Sequence, residues 1–255
     1  MSLSINNKGY MWSKTCIINL KNAKLRLKSC KSQLKRENIK GEKCIEAVDG
    51  YKYVPYGKEI KSKKKVKYHS NLMRKKLTEK GIYKKTIRAL RVGEIGIYMS
   101  QINTIKAAYK DKKIKSILIL EDDIKLSENL LENIKKLKSY IPKKCDIFFL
   151  GVSPINYKYG KFKKINKYIN EPLGINPNKI KEMDGGIYGA HAYILNRKAM
   201  KVLIDNAFPM RYPYDVYLGK IITRMKLLKA YSLKDDLITT FNYGSFTQHT
   251  KTIDN

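Results

Sequence analysis

The segment Ser116 to Leu120 (SILIL) is a continuous apolar run that passes without a break into Glu121-Asp122-Asp123. A short apolar run of this kind reads as a strand buried on both faces, as in a parallel sheet covered by helices on each side. A strand that ends abruptly in charge has its end at a surface. In open α/β sheets the functional crevice lies at the carboxyl ends of the strands.

The rest of the chain repeats the theme. Thr15 to Leu20 (TCIINL) reads as a strand, and a partly periodic apolar pattern from Asn22 to about Glu37 as a helix. Lys43 to Val48 (KCIEAV) reads as a second strand closed by an Asp49-Gly50 turn. Helices are expected over 71–80, with Gly81 as C-cap, over 93–110, and from a Ser127 cap to about Tyr140. Asp146 to Leu150 (DIFFL) is another buried strand, and Tyr188 to Leu195 (YGAHAYIL) a further one. Helices follow over 196–205 and 213–228. Residues 153–185 show little periodicity and read as a long, functional loop. Strand, helix, strand from the start predicts the opening of an α/β sheet. The expected organisation is a loose extension (1–14), one domain (15–245) and a C-terminal tail (246–255).

Nothing in the sequence approaches the ~20 apolar residues of a membrane span, and the first 30 residues lack the pattern of a secretion signal. A cytoplasmic protein is expected, with four cysteines, 16, 30, 44 and 145, as free thiols. Lys plus Arg is 54 against 22 acids, a formal charge of +32. Such excess suggests a polyanion partner. Only eight of the 54 are Arg, however, and specific readers of bases and phosphates lean on the arginine fork. Lys, Ile, Asn and Tyr are all A/T-codon residues, so a large DNA virus or an A/T-rich microbe gives the same profile with no functional demand. No specific nucleic-acid partner is therefore expected. A peripheral membrane surface stays open at ~1 kcal/mol per well-placed Lys, although no amphipathic anchor stands out.

The chemistry concentrates at Glu121, Asp122 and Asp123. Three adjacent carboxylates repel, and the cost persists only where a cation balances it. A hard divalent ion with oxygen ligands, Mn²⁺ or Mg²⁺, fits them, and could neutralise a departing diphosphate. The competing reading is a strand-end turn whose acids cap a helix and pair with lysines. His191, between Ala190 and Ala192, reads either as a core histidine or as a ligand. Asp215 sits in the first turn of a predicted helix, where the macrodipole already favours a carboxylate. Asp184-Gly185-Gly186 is an acidic turn able to approach a ligand closely. His69 and His249 have no evident partners.

Several segments in order resemble glycosyltransferase family 25, the lipopolysaccharide and collagen galactosyltransferase-like enzymes. They are Ile17-Ile18-Asn19-Leu20 with Arg26, Ala47-Val48-Asp49-Gly50, Gly93-Glu94-Ile95-Gly96 with Ser100, Ile117 to Asp123, and Asp146 to Gly151. Gly189 to Leu195 and Tyr214-Asp215 follow. The family usually has Ser-His where this chain has Ser100-Gln101. The resemblance implies a GT-A-type fold, a Rossmann-like α/β sandwich with a mostly parallel central sheet, and transfer of a hexose, galactose or glucose, from a UDP-sugar to a glycan or protein hydroxyl with Mn²⁺. It implies that Asp122 and Asp123 hold metal and diphosphate with Glu121 beside them. Asn19, Leu20, Arg26, Asp49 and Gly185 would border the donor. His191 would be a late metal ligand or line the sugar pocket, and Asp215 would be the acceptor-activating base of an inverting reaction. The rivals are a lapsed member that only binds sugar nucleotides or glycans, and a basic nucleic-acid-binding protein.

Overall fold

The computed structural model describes residues 3, 10–50, 71, 74–85, 89–176, 178, 186–187 and 189–241. The lysine cluster of 58–67, His69, Asp184, Gly185 and His249 lie outside them, as does the tail 246–255.

The chain runs β1 (Lys14–Asn19), α1 (Lys24–Arg36), β2 (Glu42–Glu46), α2 (Val92–Lys110), β3 (Ser116–Glu121), β4 (Ile124–Leu126) and α3 (Leu130–Lys136). It continues through β5 (Ile147–Gly151), α4 (Pro154–Tyr159), β6 (Gly160–Lys164), β7 (Ile169–Ile175) and β8 (Ala192–Asn196). The last elements are α5 (Arg197–Asp205), α6 (Tyr214–Thr223), β9 (Ala230–Leu233) and β10 (Ile238–Thr240). Eight strands form one sheet in the order β2-β1-β3-β8-β5-β9-β7-β6, and β10 pairs with β4 beside it. Six of the eight run in one direction, with β7 and β8 opposed. The sheet is mostly parallel, as expected.

Alternation along the central strands explains why they read as continuous apolar runs. Ile117 and Ile119 of β3 enter one core with α2, α5 and α6. Leu118 and Leu120 enter a second core with α1, β4, α3 and β10. Phe149 and Tyr193 follow the first set, Phe148 and Ile194 the second. With both faces covered, no position along these strands tolerates a polar side chain without a partner.

Several boundaries depart from expectation. The span 153–185 is not a structureless loop through its first two thirds, since α4, β6 and β7 lie between Pro154 and Ile175. β6 is the outermost strand, with lysines 161, 163 and 164 exposed and a single apolar side chain, Phe162, partly buried between them. Ser127 caps no helix: its hydroxyl is buried without a hydrogen-bond partner among the described residues, β4 intervenes, and α3 starts from Asn129 in the left-handed region. Helix α6 stops at Thr223 rather than 228. The described part of the N-terminal extension is not loose. Met11 and Trp12 are buried, and Leu3 N–H donates to the Cys145 carbonyl. Residues 74–79 are helical, with Gly81 at φ +67° as the cap. Asn196 caps α5, its side-chain oxygen accepting from Ala199 N–H at 2.8 Å.

Candidate active site

The carboxyl ends of β1 and β3 lie side by side because the two strands pair in parallel, with Ile18 opposite Glu121. The chain leaves β1 at Asn19, turns through residues 20–23 with Ala23 N–H bonded to the Leu20 carbonyl, and enters α1. Arg26 is thereby delivered less than one helical turn into α1, above the end of β3. Asn19 donates to Asp122 Oδ2 at 2.6 Å and to the Ala23 carbonyl at 3.1 Å, so one amide ties the acid to the helix entry. The Arg26 guanidinium reaches Asp123 Oδ2 at 2.6 Å and Asp122 Oδ1 at 3.4 Å, with 13% of its side chain exposed. This is the cation that the three acids require. Asp123 Oδ1 is buried with no hydrogen-bond partner among the described residues. A buried acceptor in that state carries a desolvation cost that a bound cation would remove.

The far wall comes from the segment after β2. Val48 N–H donates to Ser100 Oγ at 2.7 Å, and that hydroxyl donates to the Gly96 carbonyl at 2.7 Å. The strap 47–50 lies on α2 so closely that a Cβ on Gly96 would sit 2.6 Å from the Val48 carbonyl oxygen. Hence the Ala-Val-Asp-Gly and Gly-Glu-Ile-Gly segments are two halves of one contact. Between strap and acids lies a cleft of about 120 Å³, lined among others by Leu20, Arg26, Asp49, Gln101, Glu121 and Asp123. A second hollow of about 510 Å³ continues it past Lys21 and Asn22, sharing Leu20 and Asp49.

Glu121 lies beneath the other acids. Burial first, then the charges of Asp123, Asp122 and Asp215, pushes its carboxyl well above the usual range. Burial likewise raises Asp122, against the opposing pull of Arg26 and the Asn19 amide. Asp215 stands at the start of α6, where Val216 N–H donates to it at 2.8 Å and Gly189 N–H at 3.4 Å. Burial outweighs these donors and lifts it to about 6, with Glu94 adding repulsion. A carboxylate poised there ionises at neutral pH while keeping useful basicity.

Gln101 is the cleft residue whose setting the sequence did not disclose. It is 1% exposed, and its Oε1 accepts from Tyr193 Oη at 2.7 Å. Tyr193 Oη in turn lies 2.8 Å from Tyr214 Oη, adjacent in sequence to Asp215. A buried chain of polar groups thus joins the cleft wall to the helix that carries Asp215.

Not all expected site residues meet. Asn19, Leu20, Arg26, Asp49, Glu121, Asp122 and Asp123 gather at the cleft, and Asp215 stands close enough to Glu121 to raise its pKa. His191 does not join a ligand set. Its Nε2 lies 3.1 Å from the Ile238 carbonyl, it is buried, and burial keeps its pKa below the usual value. The ring clips β8 to β10, the core role. Among the described residues no three His, Cys, Asp or Glu side chains are grouped to hold a metal ion. Gly185 lies outside the described residues.

Comparison with known proteins fits this geometry. The model of glycosyltransferase family 25 (LPS biosynthesis protein) matches residues 12–218, from just before β1 into α6. The chain belongs to glycosyltransferase family 25. The matched range holds the Asn19–Arg26 turn, the 47–50 strap, the acids after β3 and Asp215. No curated protein matches this family 25 chain. Solved structures similar to it include A197 from STIV, at 10% identity over 89% of this chain and 84% of that one, TM-score 0.45. Mouse xyloside xylosyltransferase 1 is 12% identical over 84% of this chain and 70% of that one, TM-score 0.36. Mannose-1-phosphate geranyltransferase from Thermus thermophilus is 8% identical over 86% of this chain and 72% of that one, TM-score 0.38. Likenesses this distant say nothing about activity. Among the described residues no helix is long and apolar enough to cross a membrane.

Proposed function

We propose that this glycosyltransferase moves a hexose, galactose or glucose, from a UDP-sugar to a hydroxyl of a glycan or protein, with inversion. The observation that carries the reading is the cleft at the ends of β1 and β3, where Asn19 and Arg26 hold Asp122 and Asp123 in one cluster. Asp49 and Leu20, shared by both hollows, would flank the nucleoside. Arg26 would face the diphosphate, the planar fork suiting a phosphate as well as a carboxylate. Gln101 offers an amide donor in the cleft wall, fixed by Tyr193.

Asp122 and Asp123 suit a divalent ion, Mn²⁺ or Mg²⁺, because a hard ion of this size is held by one or two carboxylates together with substrate phosphates. Asp123 Oδ1, buried and unpartnered among the described residues, is the available acceptor. His191 is left out of the set, its Nε2 being engaged with Ile238. When bound, such an ion neutralises charge on the departing diphosphate. The chain's own part is positional and acid–base. Asp215 takes the proton of the attacking hydroxyl, and the start of α6 stabilises its anionic form before the reaction. Glu121 lies beneath the pair, its carboxyl pushed well above the usual range by burial and then by the charges of Asp123 and Asp122.

The test is release of UDP from UDP-glucose, UDP-galactose and their N-acetylated forms, with and without Mn²⁺. Metal-dependent release from one donor supports the reading and names the sugar. No release from any donor, with no thermal shift from UDP plus Mn²⁺, overturns it in favour of a protein that no longer transfers.

A further inference from the structure

Among the described residues, exposed large hydrophobic side chains are unevenly distributed. Leu25, 84% exposed, stands in the first turn of α1, just after the carboxyl end of β1. Ile165 and Tyr168, 37% and 38% exposed, form the tip between β6 and β7. Strand β6 runs in the same direction as β1 and β3, so this tip and Leu25 rise from one edge of the sheet, the edge on which the cleft opens. Five strand spacings separate β3 from β6, about 24 Å. Leu173, Met225 and Leu227 are exposed toward the opposite edge and belong to neither site.

Both protrusions are flanked along the chain by cations, with exposed Asp235 beside the tip, next to Lys234 whose N–H donates to the Tyr168 carbonyl. Lys21, Lys24 and Lys28 are exposed around Leu25, and Lys163, Lys164 and Lys167 around Ile165 and Tyr168. Neither segment, 20–28 or 160–168, contains an acid. The tip is also built to hold its shape. Asn166 Oδ1 accepts from the N–H groups of Tyr168 and Ile169, both at 3.0 Å, and its amide donates to the Tyr140 carbonyl at 2.8 Å. Tyr168 packs edge-on against Tyr140, and Lys167 Nζ lies 4.8 Å from the Tyr168 ring centre.

We propose that this edge docks on an anionic lipid bilayer, with Leu25, Ile165 and Tyr168 in the interface and the surrounding lysines on the headgroups. Exposed aliphatic side chains gain only on leaving water for an apolar phase, which a bilayer provides and a nucleic acid does not. Compact lysine ammonium groups suit a diffuse sheet of anionic headgroups. Leu25 and the tip give two contacts on one rim, which fixes orientation as well as attachment. The cleft then faces the leaflet. If the transferase reading holds, its acceptor is displayed on that surface, but docking itself does not depend on turnover.

The test is co-sedimentation of the full chain with vesicles of phosphatidylcholine alone and of phosphatidylcholine mixed with phosphatidylglycerol, over a salt series. Binding is expected to the mixed vesicles only. The triple variant Lys163→Glu/Lys164→Glu/Lys167→Glu should weaken it about a hundredfold or more. Ile165→Ser with Tyr168→Ser, which leaves the charge unchanged, should weaken it about tenfold. Lys112→Glu/Lys113→Glu/Lys144→Glu makes the same charge change at the opposite edge and should leave most binding intact. All these positions are at the surface, and unchanged thermal unfolding verifies that each variant folds. Equal losses from the two triple variants, or no loss from Ile165→Ser/Tyr168→Ser, overturns the proposal in favour of general attraction by net charge. So does a short RNA duplex that binds more tightly than the vesicles and is released by the same tip substitutions.

Discussion

Asp215→Asn separates catalysis from stability in one substitution. Burial lifts the Asp215 carboxyl from 3.8 to about 6 against the opposing donors Val216 N–H and Gly189 N–H. Glu94 adds repulsion. Its folded pKa is raised, so the folded state binds this proton more tightly than the unfolded chain. The resulting stability is fully present below about pH 4 and is lost as the pH rises through 6. At neutral pH the ionised group therefore costs about two units at ~1.4 kcal/mol each, ~3 kcal/mol. Asp215 is half-buried rather than sealed, and residual solvent screening lowers this to about 2 kcal/mol. Asparagine keeps an oxygen for both N–H donors and carries no charge. The variant should be more stable than the parent by about 2 kcal/mol at pH 8, with the difference vanishing near pH 4. Transfer should fall about 10²–10⁴-fold, the usual range for a lost general base. Urea unfolding at several pH values, paired with UDP release in the presence of acceptor, reads both. A variant that is active, or equally destabilised at pH 4 and pH 8, would refute the assignment of Asp215 as a strained base.

Three further outcomes follow. Arg26→Gln leaves Asp122 and Asp123 without their guanidinium and should lower the melting temperature. Added Mn²⁺ should restore more stability to this variant than to the parent in a thermal-shift assay, because the same two carboxylates need a cation. Gln101→Leu removes one of the two partners of the Tyr193 hydroxyl, leaving it Tyr214 Oη, and should cost about 1 kcal/mol of stability in chemical unfolding, while Gln101→His, able to accept the same bond, should recover most of it. Gly96→Ala sets a methyl 2.6 Å from the Val48 carbonyl oxygen, so the 47–50 strap must lift; UDP affinity measured by calorimetry should drop at least tenfold with little change in overall fold.

Much of the site was legible because its residues act through their own local segments. Asn19 and Arg26 are seven residues apart, a strand end and the start of a helix, and the spacing delivers both to one place. The acids after β3 announced themselves as charge following an apolar run. What stayed hidden depends on partners distant in sequence. Gln101 looks like any polar residue on a helix until Tyr193, 92 positions away, donates to it. His191 resembled a ligand because its nitrogen's partner is the Ile238 carbonyl, a main-chain atom with no signature in sequence. The β6–β7 hairpin was missed because β6 is five residues long with one apolar side chain, Phe162, too little to display a period of two. The direction of β8 was also unreadable, since a strand buried on both faces looks the same run either way.

That reversed strand has a consequence for how the molecule comes into being. β8 fills the slot between β3 and β5, yet it is made some 70 residues after β3. Until it arrives, the first three strands expose an apolar edge with open hydrogen-bonding groups, and so does β5. The two halves of the sheet can only meet through this late insertion, a non-local step of the kind that slows folding. The nascent chain therefore passes through a stage in which β3 and β5 are complete but each lacks its β8 neighbour. Lysine outnumbers acid in this early part of the chain as in the whole, and mutual repulsion then keeps such half-built chains apart.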